Sequence, residues 1–465
     1  MMDNDTIAAI ATPFGEGGIG IVRISGPRSE KIALKLFKTK KGSLLKSHYL
    51  YYGEIINPRN NEVVDEVLLS IMRAPRSYTR EDSVEINCHG GRQVLREILN
   101  LTLQEGARLP TPGEFTKRAF VNGRIDLTQA EAVVGLIKAE TTSGLALASR
   151  QLKGKVSDKI KKIKKNVLSA AGLIEVLIDF SEEDIEETDG TSLYTAIKEN
   201  ISSAIEKASN LLSTYQDGKI YQAGVGLVVA GGPNVGKSSL INILLGEERV
   251  IVSPVAGTTR DVVEENININ GIPLRVADTA GIHPSNDIII ETGCRLALEK
   301  IKQSDLVVLV IDSNKTVEEN TLLSNNAFSF LLNQKKLIIA LNKIDLDFKI
   351  NIGFLKKIFP SGKIVKISVL CDKGIDKLKE VVVASVAARS IGEGSEPIIF
   401  LIRHKLALEK IISDLEKAGK LIKEKRLEFV AFELRKALDV LGEIIGETTT
   451  EDILENIFSQ FCIGK

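Results

Sequence analysis

The run Gly231-Gly232-Pro233-Asn234-Val235-Gly236-Lys237-Ser238 constrains this chain more than any other feature. It lies between an apolar, strand-like stretch, Val225 to Ala230, and a helix-compatible stretch, Lys237 to Leu245. A glycine-rich turn in that setting lets backbone N–H groups converge on phosphate oxygens. Lys237 supplies the countercharge and the Ser238 hydroxyl a ligand for Mg²⁺. Further along, Asn342-Lys343-Ile344-Asp345 follows the apolar run Leu337 to Leu341. The Asp345 carboxylate accepts two hydrogen bonds from guanine N1 and N2, which adenine cannot donate, a discrimination that reaches roughly 10⁴-fold in sites of this kind. These two motifs, in this order, predict a P-loop α/β domain that binds GTP.

The remaining guanine-nucleotide elements fall into register with that pair. Asn234, Val235, Gly236, Lys237, Ser238 and Ser239 form the expected phosphate cradle. Asp278-Thr279-Ala280-Gly281 closes the run Leu274 to Ala277, where the aspartate reaches Mg²⁺ through water and the glycine N–H meets the γ-phosphate. Within Gly257-Thr258-Thr259-Arg260-Asp261, Thr259 is the expected switch ligand that joins Ser238 on Mg²⁺. Ser368, after the strand-like Lys363 to Ile367, completes the base pocket, with Val369 in place of the usual alanine. Ile282 stands where small signalling GTPases carry the glutamine that orients the attacking water. Hydrolysis is therefore slow, assisted in trans, or served by another cation and base.

Composition narrows the rest. Lys plus Arg and Asp plus Glu both number 61, so no global field draws in nucleic acid and any RNA contact rests on local patches. The 4 cysteines, Cys88, Cys294, Cys371 and Cys462, show no metal-site or disulfide spacing, which fits a reducing cytoplasm. No basic leader or long apolar run is present, so a cytoplasmic protein without a membrane segment is expected. Residues 1–119 mix short β-like runs with glycine and proline and read as an α/β or α+β domain. Helical spacing dominates residues 120–217, strands and helices alternate over 218–383, and helical texture returns over 384–465. The simplest arrangement is a helical domain interrupted by a GTPase domain with a mostly parallel sheet. A lysine stripe (Lys153, Lys155, Lys159, Lys161, Lys162, Lys164, Lys165) reads first as a solvated helix face, with RNA contact as the alternative.

Three stretches outside the GTPase region carry a family resemblance. They are Asp5 to Pro13 with Gly17 to Gly26; Val84-Glu85-Ile86-Asn87-Cys88-His89-Gly90-Gly91 with Pro112 to Phe120 and Asp126 to Ala132; and the terminus Phe458-Ser459-Gln460-Phe461-Cys462-Ile463-Gly464-Lys465. With the guanine motifs, they make the chain resemble the MnmE (TrmE) tRNA-modification GTPases from end to end. The resemblance implies a folate-binding amino-terminal domain, a discontinuous helical domain and an inserted GTPase. It also implies work with an MnmG-type, FAD-dependent partner that installs an aminomethyl-type group at C5 of a tRNA wobble uridine, as a homodimer within a heterotetramer and without DNA. A tetrahydrofolate, 5,10-methylenetetrahydrofolate or 5-formyltetrahydrofolate, is the one-carbon donor that the resemblance implies. Arg23, Glu85, Arg124 and Lys465 match the family's folate contacts. Read without the family, Arg23 and Glu85 form a surface ion pair.

The resemblance further implies that K⁺, held by Asn234, Ser253, Val255 and Thr258, replaces an arginine finger, with two GTPase domains meeting across their nucleotides. The family's water-positioning glutamate falls at Ile290 here. Its neighbour Glu291 is the candidate base, although one residue of helix rotates a side chain by about 100°. The alternative is a weakened GTPase that still switches. Cys462 is either a catalytic nucleophile or a buried small hydrophobe. Arg403-His404 matches a helical-domain motif or lies on a helix surface. A ribosome-assembly or RNA-binding switch GTPase without one-carbon chemistry is the rival class, and a degenerate GTPase serving as a dimeric scaffold is a third.

Overall fold

The computed structural model describes residues 5–465 apart from 14, 40–44, 180–186, 249–263, 279–300, 303, 318–319, 321–335 and 387–396. Two compact units emerge, one comprising Met1–Val134, Gln151–Ile205 and Lys410–Lys465, the other Gly135–Arg150 and Glu206–Glu409.

In the first unit, β1 (Ile7–Ile10), β2 (Gly20–Ser25), β3 (Phe37–Lys38), β4 (Leu50–Ile56), β5 (Val63–Met72) and β6 (Ser83–Cys88) form a 6-stranded sheet in the order β1-β2-β6-β5-β4-β3. All its pairings are antiparallel. Alternation along each strand divides the sheet into two chemical faces. Val22, Ile24, Val84 and Ile86 point to one core with α1 (Ser29–Leu36) and α2 (Arg92–Gln104), where Ile32, Leu36, Leu95 and Ile98 are buried. Ile7 and Ala9 point the other way, onto Phe115 of α3 (Glu114–Val121). Arg23 and Glu85 share that second face because they are directly paired in the β2–β6 register.

The long helices begin with α4 (Leu127–Ile137) and α5 (Thr142–Leu152), followed by α6 (Lys155–Asp179), α7 (Glu187–Leu212) and α8 (Tyr215–Ala223). On α6, Ile160, Ile163, Val167, Ala170 and Ile174 recur at helical spacing and are fully buried. Lys155, Lys161, Lys162 and Lys165 face solvent, and Lys164 pairs with Glu447.

In the second unit, β7 (Val225–Gly231), β8 (Glu264–Ile269), β9 (Ile272–Asp278), β10 (Leu306–Asp312), β11 (Leu337–Asn342) and β12 (Lys363–Lys366) form a 6-stranded sheet ordered β12-β11-β10-β7-β9-β8. Every pairing is parallel except β8–β9. β10 and β11 are buried along their whole length, as strands covered on both faces must be. On one face pack α9 (Lys237–Glu248) and α11 (Ile375–Val386), and on the other α10 (Ile352–Ile358). The β8–β9 hairpin escaped the sequence reading; Asn270 (φ 50°) and Gly271 (φ 86°) form its tight turn with two left-handed residues in succession.

The chain closes with α12 (Ile402–Lys423), α13 (Leu427–Ile445) and α14 (Glu451–Phe458). α13 packs along α6, with Val430, Leu434, Ala437 and Leu441 buried. His404 is 1% exposed, which sets aside its reading as a helix-surface residue. Leu454, Ile457, Phe458 and Phe461 bury against Leu127 and Ala130, fixing where the terminus emerges.

One ionic network ties the amino-terminal strand to α3. Arg118, 2% exposed, meets Glu114 at 2.8 Å, Asp5 at 2.6 Å and Glu81 at 3.2 Å. Burial raises the Glu114 pKa, but hydrogen bonds from Arg108 and Arg118 outweigh it and hold the group at about 2. Its folded pKa lies below its unfolded value, so the stabilisation is present above that unfolded value and disappears as pH falls toward 2. Replacing Arg118 by Met removes the buried cation while Glu114 and Asp5 keep Arg108 as a partner, and is expected to cost about 1–3 kcal/mol. Urea unfolding followed at pH 7 and at pH 3 checks both, with the variant's deficit shrinking at the lower pH.

Candidate functional site

The phosphate loop leaves the carboxyl end of β7, flanked by β10 and β9, the location at which parallel α/β sheets bind ligands. Its conformation depends on backbone angles that side chains resist. Asn234 has φ 60° and Gly236 has φ 99°. A Cβ on Gly231 would sit 2.5 Å from Val310 O, and one on Gly236 would sit 2.4 Å from Asn342 Nδ2. Lys237 Nζ lies 2.7 Å from Gly232 O, folded back over its own loop, where a phosphate would meet it. Ser238 and Ser239 are exposed at the start of α9, and Val235 is buried behind them. A helix N-terminus, a free hydroxyl and a lysine suit a magnesium-bound polyphosphate. The exposed neutral amide of Asn234 is a donor type suited to a monovalent cation.

The guanine-reading segment is built around Asn342. Its Nδ2 donates to Val235 O at 2.8 Å, and its Oδ1 accepts from Val369 N at 3.0 Å. One buried amide therefore clamps the phosphate loop to the loop after β12. Lys343, at φ 65°, places Nζ 2.6 Å from Asp312 Oδ2. Ser368, fully buried, donates its hydroxyl to Asp345 Oδ1 at 2.5 Å and accepts from Cys371 N at 3.2 Å. The Ser368 hydrogen bond, with contributions from the backbone, Lys373 and Lys343, holds the Asp345 carboxyl below the usual range. Asp345 is thus ionised and its second oxygen left for a base edge.

The structure accordingly brings Asn234, Val235, Gly236, Lys237, Asn342, Lys343, Asp345 and Ser368 into one constellation. Asp278 ends β9, the parallel neighbour of β7. Ser253, Val255, Thr258, Thr259, Thr279, Ala280, Gly281, Ile282, Ile290 and Glu291 lie outside the described residues. Sequence reading missed Asp312 and the Val369 N–H. The first had a signal, a carboxylate closing the apolar run Leu306 to Ile311; a backbone donor has none.

A second constellation sits on the β2–β6 face of the first unit. Arg23 Nε and Nη2 both reach Glu85 Oε1 at 2.8 Å. Arg23 Nη1 lies 3.4 Å from Gly464 O, which brings the carboxyl-terminal motif to the same place. Gly464 has φ 100° and a Cβ there would sit 2.4 Å from Ile10 O, so the terminus can lie on β1 only as glycine. Lys465 follows, tied by its N–H to Cys462 O at 3.2 Å. The guanidinium carbon of Arg23 is 5.5 Å from the Tyr78 ring centre, and that of Arg124 is 4.7 Å from the same ring. Arg124 Nη1 also donates to Tyr78 O at 3.0 Å. Tyr78 and Phe115 were not foreseen; neither stood in a periodic pattern that marked it. Among the described residues Glu85 accepts at one oxygen only, so its other oxygen matches the donor edge of a pterin, and the cations match an anionic tail. Cys462 is exposed, which removes its reading as a buried small hydrophobe.

No helix among the described residues is long and apolar enough to cross a membrane. Two family models cover nearly the whole chain: the GTP-binding protein TrmE N-terminus over residues 6–124, and the MnmE helical domain over residues 127–462. The tRNA modification GTPase MnmE of Acetivibrio thermocellus is 44% identical over 467 residues, covering 100% of both chains. That of Syntrophus aciditrophicus is 46% identical over 468 residues, again covering 100% of both. Among solved structures, the G domain of the T. maritima FeoB iron transporter is 31% identical with a TM-score of 0.27, covering 35% of this chain and 98% of that one. On the full-length identity and both family models, the chain belongs to the MnmE (TrmE) family of tRNA modification GTPases.

Proposed function

We propose that this tRNA-modifying GTP hydrolase is K⁺-dependent and works with a FAD-dependent flavoprotein in the tetrahydrofolate-dependent aminomethyl-type modification of wobble uridine at C5. The observation that carries the one-carbon part is the Arg23–Glu85 pair, met by Gly464 O of the terminal motif. A surface ion pair has no need of a chain terminus delivered to it. Glu85 holds the pterin edge through its unengaged oxygen, while Arg124 and Lys465 meet the anionic part of the folate. The folate supplies the carbon that is transferred, and the exposed Cys462 is the candidate nucleophile beside it.

In the nucleotide site, Asp345 reads guanine, with Ser368 keeping its carboxylate ionised and oriented. Lys237 and the loop amides would neutralise the phosphates, and Ser238, Thr259 and Asp278 would hold Mg²⁺, which would screen the phosphate charge. Glu291 is the proposed water-positioning base. Potassium would supply the positive charge that an arginine finger provides elsewhere, held by Asn234, Ser253, Val255 and Thr258. Two chains then meet through their GTPase domains as a homodimer in the cytoplasm. The division into residues 1–119, 120–217, 218–383 and 384–465 is our proposal for which segments carry folate, helices, GTPase and returning helices.

The cation reading is tested by turnover with saturating GTP and Mg²⁺ in 100 mM K⁺ against 100 mM Na⁺, a concentration at which the Debye length is about 10 Å in either salt. Hydrolysis is expected to be at least about tenfold faster in K⁺, a barrier difference of about 1.4 kcal/mol, and equal rates overturn the claim. For the folate site, Glu85→Gln replaces a carboxylate by an amide. A charge-assisted hydrogen bond of about 1.5–3 kcal/mol disappears, so 5-formyltetrahydrofolate affinity is expected to fall roughly ten- to hundredfold while GTP affinity holds. Fluorescence titration of both ligands against the same variant measures the difference.

A further inference from the structure

A shallow, open depression of about 500 Å³ lies beside Tyr78, and its charged wall consists of Arg76, Arg80 and Arg124, with no carboxylate in the lining. The acids of the same segment are engaged elsewhere. Glu30 pairs with Arg73, Glu81 accepts from Arg118 and the Ser25 hydroxyl, and Asp82 accepts the Ala74 N–H. Among the described residues, Arg76, Arg80 and Arg124 form no ion pair. Two of them are positioned by neutral acceptors: Arg80 Nη1 donates to Asn122 O at 2.9 Å, and Arg124 Nη1 to Tyr78 O at 3.0 Å. Each uses one N–H that way and keeps the others, with its full charge, for a ligand. Cations that converge on one concavity without their own anions raise its potential and concentrate anions there.

The cavity adjoins the Arg23–Glu85 pair through a common wall. Tyr78 lines it, and the same ring lies 5.5 Å from the Arg23 guanidinium carbon and 4.7 Å from that of Arg124. An anionic chain attached to a ligand on Arg23 and Glu85 therefore has Arg124, across the Tyr78 ring, within reach, with Arg76 and Arg80 in the same lining. Guanidinium forks bind carboxylates in pairs of parallel hydrogen bonds, and a γ-linked glutamate chain adds one carboxylate per residue. We propose that this cavity takes the polyglutamate tail of the folate, so that the protein prefers folates bearing several glutamates to the monoglutamate. The inference rests on the folate reading above and adds the ligand's chain length to it.

The test titrates the full-length protein with 5-formyltetrahydrofolate and with its tri-γ-glutamate form at fixed ionic strength. Solvent-exposed ion pairs are individually weak, so the summed preference for the triglutamate is expected to be about tenfold, shrinking as salt is added. Arg76→Gln with Arg80→Gln removes that preference. Arg76→Gln alone removes part of it without disturbing the fold, because the Arg76 side chain makes no hydrogen bond among the described residues. Failure of even the monoglutamate to bind overturns the folate reading itself. Equal affinity for the two ligands overturns the tail inference alone. A double variant that loses tRNA affinity but keeps the chain-length preference makes the cavity an RNA surface, which also overturns it.

Discussion

The side-chain amide of Asn342 is the interaction on which the nucleotide site depends. It donates to Val235 in the phosphate loop and accepts from Val369 in the loop after β12, so one residue sets the spacing of these two segments. Several otherwise separate features follow from it. Gly236 must lack a side chain because a Cβ would strike the amide. Lys343, the next residue, turns to φ 65° and anchors on Asp312, which leaves Asp345 at the mouth of the pocket with Ser368 beneath it. A buried amide that uses both its donor and its acceptor is geometrically demanding, which is why it fixes a distance better than an apolar contact would.

The amino-terminal site is built on an analogous economy. Antiparallel register sets Arg23 against Glu85, and strand alternation turns both away from the main core. The helical terminus then delivers Gly464 to the same face, where only glycine fits over Ile10. Chemistry that looks dispersed in sequence, at positions 23, 85, 124 and 464–465, is collected by one sheet face and one docked helix, α14, whose apolar side is held by Leu127 and Ala130.

Much of the parallel sheet was legible because β10 and β11 are unbroken apolar runs, and the phosphate loop because its chemistry requires particular residues in order. The pairing of Arg23 with Glu85 was legible in kind, as an ion pair, but its position came only through the family resemblance. What escaped had no local signature. The β8–β9 hairpin rests on a two-residue turn flanked by polar asparagines, Asn266 and Asn268, that blur strand alternation. Arg403-His404 reads equally as a helical-domain motif or as helix surface, and packing buries His404. Tyr78 sits in a segment of serine, proline and arginine that reads as plain loop, and its ring gains meaning only from two arginines brought by distant strands and turns.

The central claim is that one chain carries a guanine site organised by Asn342 and, separately, a folate site organised by Arg23 and Glu85. Calorimetric titration of the intact protein with GDP, with 5-formyltetrahydrofolate, and with each after saturation by the other tests it directly. The account requires one guanine nucleotide and one folate per chain, with neither ligand displacing the other. Binding of GDP with no heat from the folate, or competition for a single site, would contradict it.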